Sequence, residues 1–222
     1  MRAPAGPSGR IYAIADVEAL HPAPLPAAVR EMAEAGVRWI QVRAKRLSGS
    51  PLFRQMEECC RVLEGSGVHL WVDDRADLAA LFPVAGVHLG QADLPPAAAR
   101  RVVGPEVRIG LSTHGEEQIL AADADPDVDV IAVGPVFPTK GKENPDPVVG
   151  LELLRWARSR TAKPLVAIGG IDSGNVAEVI AAGADAAAVI GAVCRGDVRA
   201  NALRLIQASA AAWGEQSACG ST

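Results

Sequence analysis

The stretch "DVIAVGPVFPTKGKENPDP", Asp129 to Pro147, starts as an apolar run and ends as a polar loop, with a lysine on either side of Gly141. In its first half, apolar residues follow one another without the every-second-residue alternation of a half-exposed strand. Such a run reads as a strand covered on both faces, the habit of parallel sheets. In its second half, Gly, Pro, Lys and Glu end the strand and begin a loop.

Seven other runs have the same character: "RIYAIAD" from Arg10, "WIQVRA" from Trp39, "HLWVDD" from His69, "GVHLGQ" from Gly86, "RIGLST" from Arg108, "PLVAIGGI" from Pro164 and "AAAVIGAV" from Ala186. Between them lie amphipathic stretches such as "LPAAVREMAEAG" and "PLFRQMEECCRVLEGSG", several closing on the glycine expected just past a helix. Eight strand–helix units in 222 residues predict an α/β fold, a single (β/α)8 TIM barrel spanning 1–222 with flexible tails at 1–9 and 214–222. A doubly wound open sheet is the alternative. It gains no support from the first turn, "IADVEAL", which lacks the glycines of a dinucleotide-binding loop.

Composition narrows the function. A net charge of −4 lacks the basic excess of a nucleic-acid binder, so a small-molecule ligand is expected. The four cysteines, Cys59, Cys60, Cys194 and Cys219, have neither zinc-site nor disulfide spacing, which points to a reducing, cytoplasmic setting. No run of about 18 apolar residues is present, so no membrane span is expected. Whether the barrel forms a homodimer is left open.

The chemistry gathers where the runs end. In "WIQVRAK", Gln41, Arg43 and Lys45 share one face of a strand, which in a barrel is the lumen; an edge strand with surface cations is the alternative. Asp73 and Asp74 close the third run and Asp93 follows the fourth. Carboxylates this close need a positive partner, and their oxygens suit Mg²⁺, which one or two carboxylates commonly hold while phosphates and waters complete its shell. Helix capping is the competing role for each. His88, flanked by Val87 and Leu89, reads as a core residue, and Ser112 either caps a helix or donates to a phosphate. Gly169 and Gly170 after the seventh run, with Gly191 after the eighth, fit the phosphate cradle that barrels build there, or else a tightly packed turn.

These motifs, in order, are "QVRAK", "VDDRADLA", "GVHLGQADLP", "IGLSTH", "VGPVFPTKGK" with "GLELL", "AIGGI" and "AAAVIGAV". Together they resemble the thiamine phosphate synthase (thiamine-phosphate pyrophosphorylase) family over nearly the whole chain. The resemblance implies a Mg²⁺-assisted transferase joining 4-amino-5-hydroxymethyl-2-methylpyrimidine diphosphate to a thiazole phosphate, with thiamine phosphate and pyrophosphate as products. It implies a dissociative mechanism in which the diphosphate leaves before the thiazole nitrogen attacks.

The resemblance also implies the site. The pyrimidine diphosphate would meet Gln41, Val42, Arg43, Ala44, Lys45, Asp73, Ser112 and Lys142. The metal would sit on Asp74 and Asp93. The thiazole phosphate would meet Thr139, Lys140, Gly141, Gly170, Ile190 and Gly191. Arg43, Lys45, Ser112 and Lys142 would carry the catalysis. Three positions depart from the family pattern: Asp73 replaces a usual Asn, Gly141 a usual Thr or Ser, and Gly191 a usual Ser. Two other readings remain: a thiazole tautomerase of the same superfamily, and a non-catalytic phosphate-binding barrel. The first can carry a histidine where this chain has Pro135, and it tends to lack the metal segment that Gln91 and Asp93 retain.

Overall fold

A computed structural model describes residues 10–47, 49–139 and 147–218, with side chains as far as residue 210. Its strands are β1 (Ile11–Asp16), β2 (Trp39–Arg43), β3 (His69–Asp73), β4 (Gly86–Leu89), β5 (Arg108–Thr113), β6 (Val130–Val133), β7 (Leu165–Ile168) and β8 (Ala186–Val189). All pair in parallel, each with its sequence neighbour, and β8 closes on β1. The expected TIM barrel is therefore present.

The helices are α1 (Val17–Leu20), α2 (Leu25–Glu34), α3 (Gly49–Leu63), α4 (Ala76–Leu81), α5 (Pro96–Val103), α6 (Glu116–Ala124), α7 (Gly150–Arg158), α8 (Val176–Ala181), α9 (Gly191–Cys194) and α10 (Val198–Ala218). The last runs past Gly214, where the sequence suggested a tail. None among the described residues is long and apolar enough to cross a membrane. Gly36 and Gly183 follow α2 and α8 at φ 105° and 106°, the backbone shape that lets a helix stop and the chain turn.

Two apolar layers result from strand alternation. Ile40, Val42, Val72, Ile131 and Val133 point outward into the main core beneath the helices. Tyr12, Trp39, Trp71, Val130, Ala132, Val166, Ala186 and Ala188 fill the lumen. The lumen is uneven: three large rings come from β1 to β3, and small residues answer them elsewhere. Tyr12 stacks on Trp39 with centroids 4.3 Å apart, and Trp39 tilts against Trp71 at 5.3 Å. Contacts of this kind add about 0.5–1.5 kcal/mol each beyond area burial. Beside them on β4, a Cβ on Gly86, the register partner of Trp71, would lie 2.6 Å from the Trp71 ring, so only glycine fits there.

At the floor of the barrel one device occurs twice. Asp129, just before β6, accepts from Ile109 N at 2.9 Å and from Arg100 Nη2 at 2.7 Å. Asp185, just before β8, accepts from Leu165 N at 2.8 Å and from Arg158 Nη1 at 3.0 Å. Each aspartate ties the start of its own strand to the preceding strand and to the helix before that. Polar residues at this end thus serve the fold, leaving the opposite mouth for chemistry.

Candidate active site

The cluster begins on β2. Gln41 lies in the lumen, only 1% exposed, and donates from Nε2 to the Tyr12 hydroxyl at 2.8 Å. Burial lifts the Tyr12 pKa well above its usual value, keeping a neutral hydroxyl there. One rung up, Arg43 Nη1 donates to Asp16, its register partner at the end of β1. Arg43 Nε also lies 3.5 Å from Asp73 Oδ2. Lys45 Nζ is 3.4 Å from that same oxygen and donates to Asp74. The alternation in "WIQVRAK" therefore does put Gln41 and Arg43 in the lumen, with Lys45 at its rim. Burial alone would lower the pKa of both cations, but the carboxylates around them outweigh it and raise it.

Asp73 departs most from an ordinary carboxylate. Its Oδ2 is buried and accepts no hydrogen bond, relying on two long ion-pair contacts. Burial, with the neighbouring charge of Asp74, pushes its pKa up to about 6 against the pull of Lys45 and Arg43. Asp74 is also raised, first by burial and then by Asp93, which faces it, while Lys45 opposes the shift. Asp74 is the single non-glycine among the described residues with positive φ, at 58°. Its amide donates to His88 O at 2.8 Å, which fixes the turn. Strain of this kind persists only where surrounding contacts enforce it, and it concentrates at functional sites.

The capping roles weighed from the sequence are not the ones observed. The N-cap of α4 is Arg75 and that of α5 is Pro95, neither with a side-chain cap. Asp93 instead accepts from Gly90 N at 2.7 Å, a tight turn that holds its carboxylate toward Asp74. Nor does Ser112 cap α6, whose N-cap is Gly115. Ser112 Oγ pairs with His88 Nε2 at 2.9 Å, and Gln91 Nε2 donates to its carbonyl at 2.7 Å. His88 is buried, as expected of a core residue, and it also positions the Ser112 hydroxyl. A Cβ on Gly110 would lie 2.5 Å from its ring, so that glycine makes its room.

A second group forms where β6, β7 and β8 end. Gly170, at φ 67°, abuts the loop after β6: an added Cβ would lie 2.6 Å from Pro138 O and 2.7 Å from Phe137 Cβ. The glycine pair thus provides the tight packing that was one of its two readings. Thr139, in that loop, is half-buried. Lys140, Gly141 and Lys142 lie outside the described residues. Ile190 and Gly191 follow β8, with Gly191 opening α9. Val42, Ala44 and Ile190 pack into the outer core, so they offer the mouth backbone rather than side chains.

Asp16 was not singled out from the sequence, although Tyr12, Ile14 and Asp16 alternate as Gln41 and Arg43 do. Its lumen parity was the available signal. It also caps α1, accepting from Ala19 N at 2.8 Å. A cavity of about 210 Å³ touches the cluster from the helix side, through Val42, Leu52 and Val72. A larger one of about 260 Å³ lies between α5 and α6, beside Pro96 and Glu117.

Two facing carboxylates in Asp74 and Asp93, with oxygen donors only, fit a hard divalent cation that takes its remaining ligands from phosphates and water. No group of three or more metal-ligating side chains occurs among the described residues.

Fold and mouth together define a (β/α)8 barrel with cations and carboxylates interleaved at the C-terminal ends of β1 to β4. The chain belongs to the thiamine monophosphate synthase family, whose model matches residues 11–193. It is 48% identical over 185 residues to the thiamine-phosphate synthase of Koribacter versatilis, covering 82% of this chain and 87% of that one. It is 40% identical over 199 residues to that of Albidiferax ferrireducens, covering 89% and 90%. Among solved structures, thiamine phosphate pyrophosphorylase from Pyrococcus furiosus superposes with a TM-score of 0.82 at 33% identity, covering 91% of this chain and 96% of that chain. A 3-hexulose-6-phosphate synthase at 18% identity and TM-score 0.61 shares the fold alone.

Proposed function

We propose that the chain is a thiamine phosphate synthase, a transferase that joins the pyrimidine diphosphate to a thiazole phosphate and releases pyrophosphate. The family membership supports the activity. The observation that carries it to this site is the pairing of Arg43 and Lys45 with Asp73 and Asp74, a charged cluster at one lumen end.

In this reaction the C–O bond to the diphosphate breaks and a C–N bond to the thiazole nitrogen forms. Negative charge develops on the departing oxygens, so groups preset around them stabilise the transition state more than the ground state. Arg43, held by Asp16, offers paired donors to phosphate oxygens, and Lys45 adds a point charge at the rim. Lys142 is assigned the third cationic contact. Gln41, fixed by Tyr12, and Ser112, fixed by His88, orient the pyrimidine. Asp74 and Asp93 would hold Mg²⁺, which would supply positive charge against the diphosphate. The attacking nitrogen carries a lone pair and no proton, so no general base is needed.

Thr139 through Gly141, Gly170, Ile190 and Gly191 are assigned the thiazole phosphate. The negative net charge supports small-molecule substrates rather than nucleic acid, and free Cys59, Cys60 and Cys194 support a reducing cytoplasm. Incubation with both substrates and Mg²⁺, followed by mass spectrometry, tests the proposal. Thiamine phosphate is the expected product; its absence from correctly folded protein contradicts the activity.

A further inference from the structure

Arg195, the C-cap of α9, is four residues beyond Gly191. Its side chain folds back over that glycine: a Cβ built on Gly191 would lie 3.6 Å from Arg195 Cζ, 3.7 Å from Nε and 3.8 Å from Nη1. The guanidinium therefore rests at van der Waals distance over the position from which a side chain at 191 would project. It makes no ion pair or side-chain hydrogen bond among the described residues, and the residue is exposed. A cation held beside a glycine turn, with no acid paired to it among the described residues, is poised for an anion from outside.

The location gives the anion its class. Register Ile168↔Ala188 places Gly170 and Ile190 at neighbouring strand ends, and the guanidinium beside Gly191 therefore lies next to the C-terminal ends of β7 and β8.

We propose that Arg195 binds the phosphate of the thiazole substrate and favours a phosphorylated thiazole over its alcohol. A guanidinium meets a phosphate through two parallel N–H donors, and charge-assisted bonds of this kind exceed a neutral hydroxyl contact. The inference rests on the proposed activity, so its test separates the two.

In the active wild-type chain, thiamine phosphate formation is measured at saturating pyrimidine diphosphate while thiazole phosphate is varied. Arg195→Ala is expected to raise the KM for thiazole phosphate by about tenfold or more, leaving kcat and the KM for the diphosphate substrate within about twofold. Arg195→Lys is expected to recover part of that loss, which a merely structural role would not produce. Calorimetry with the dephosphorylated thiazole alcohol is expected to show equal binding to wild type and Arg195→Ala. A KM for thiazole phosphate unchanged by Arg195→Ala overturns the inference while leaving the activity standing. A wild-type chain that makes no thiamine phosphate overturns the activity, and thiazole phosphate calorimetry on both chains still decides the role of Arg195.

Discussion

Lys45 donates to Asp74, so a cation assigned to the diphosphate and a carboxylate assigned to the metal hold each other. This arrangement lets a cluster of like charges exist before ligand arrives. Asp73, Asp74 and Asp93 would repel one another without the two cations of β2, and Arg43 and Lys45 would be costly to bury without the acids. Metal and diphosphate, arriving together, would exchange these internal pairs for intermolecular ones.

Asp74→Gly separates stability from function. Asp74 occupies φ 58°, a conformation that costs an L-residue about 1–2 kcal/mol and glycine almost nothing. The variant is expected to melt at or above the wild-type temperature while losing turnover by on the order of a hundredfold. Thermal melts and steady-state rates on the same preparation check both halves.

Asp73→Asn tests the raised carboxyl. The folded chain holds the Asp73 proton to about pH 6, whereas the unfolded chain releases it near the ordinary value of 3.8. The native state therefore binds more protons across that window, and stability falls as pH rises through it. Asparagine has no such loss. In metal-free buffer its unfolding free energy should match wild type near pH 4 and exceed it at pH 8, by on the order of 1–3 kcal/mol.

Gly170→Ala should strain the turn that seats the loop after β6. At φ 67° and with Pro138 O at 2.6 Å from the new Cβ, the chain must shift. We expect a cost of about 1–3 kcal/mol in urea denaturation and a weaker affinity for thiazole phosphate.

Lys142→Ala is expected to lower turnover by more than about tenfold with an unchanged circular dichroism spectrum, through loss of a cation assigned to the departing charge. An unaltered rate would remove Lys142 from the site.

Much of this is legible in the sequence because it depends on periodicity. Eight apolar runs specify eight buried strands, and period-two alternation turns Gln41 and Arg43 inward. What periodicity cannot supply is the pairing across strands, which depends on register. Arg43 and Asp16 are 27 residues apart, and His88 and Ser112 are 24 apart. Thus His88 could be placed in the core from its neighbours but not joined to Ser112. Likewise a glycine pair at 169–170 signals close approach without saying what approaches; here it is Pro138 and Phe137.

The most direct measurement counts pyrophosphate and thiamine phosphate together in one reaction, with wild type and with Asp74→Ala and Asp93→Ala. The account predicts equal amounts of the two products from wild type with both substrates, and a fall in both with either substitution. No thiamine phosphate from wild type with both substrates and Mg²⁺, or full turnover in either variant, would contradict it.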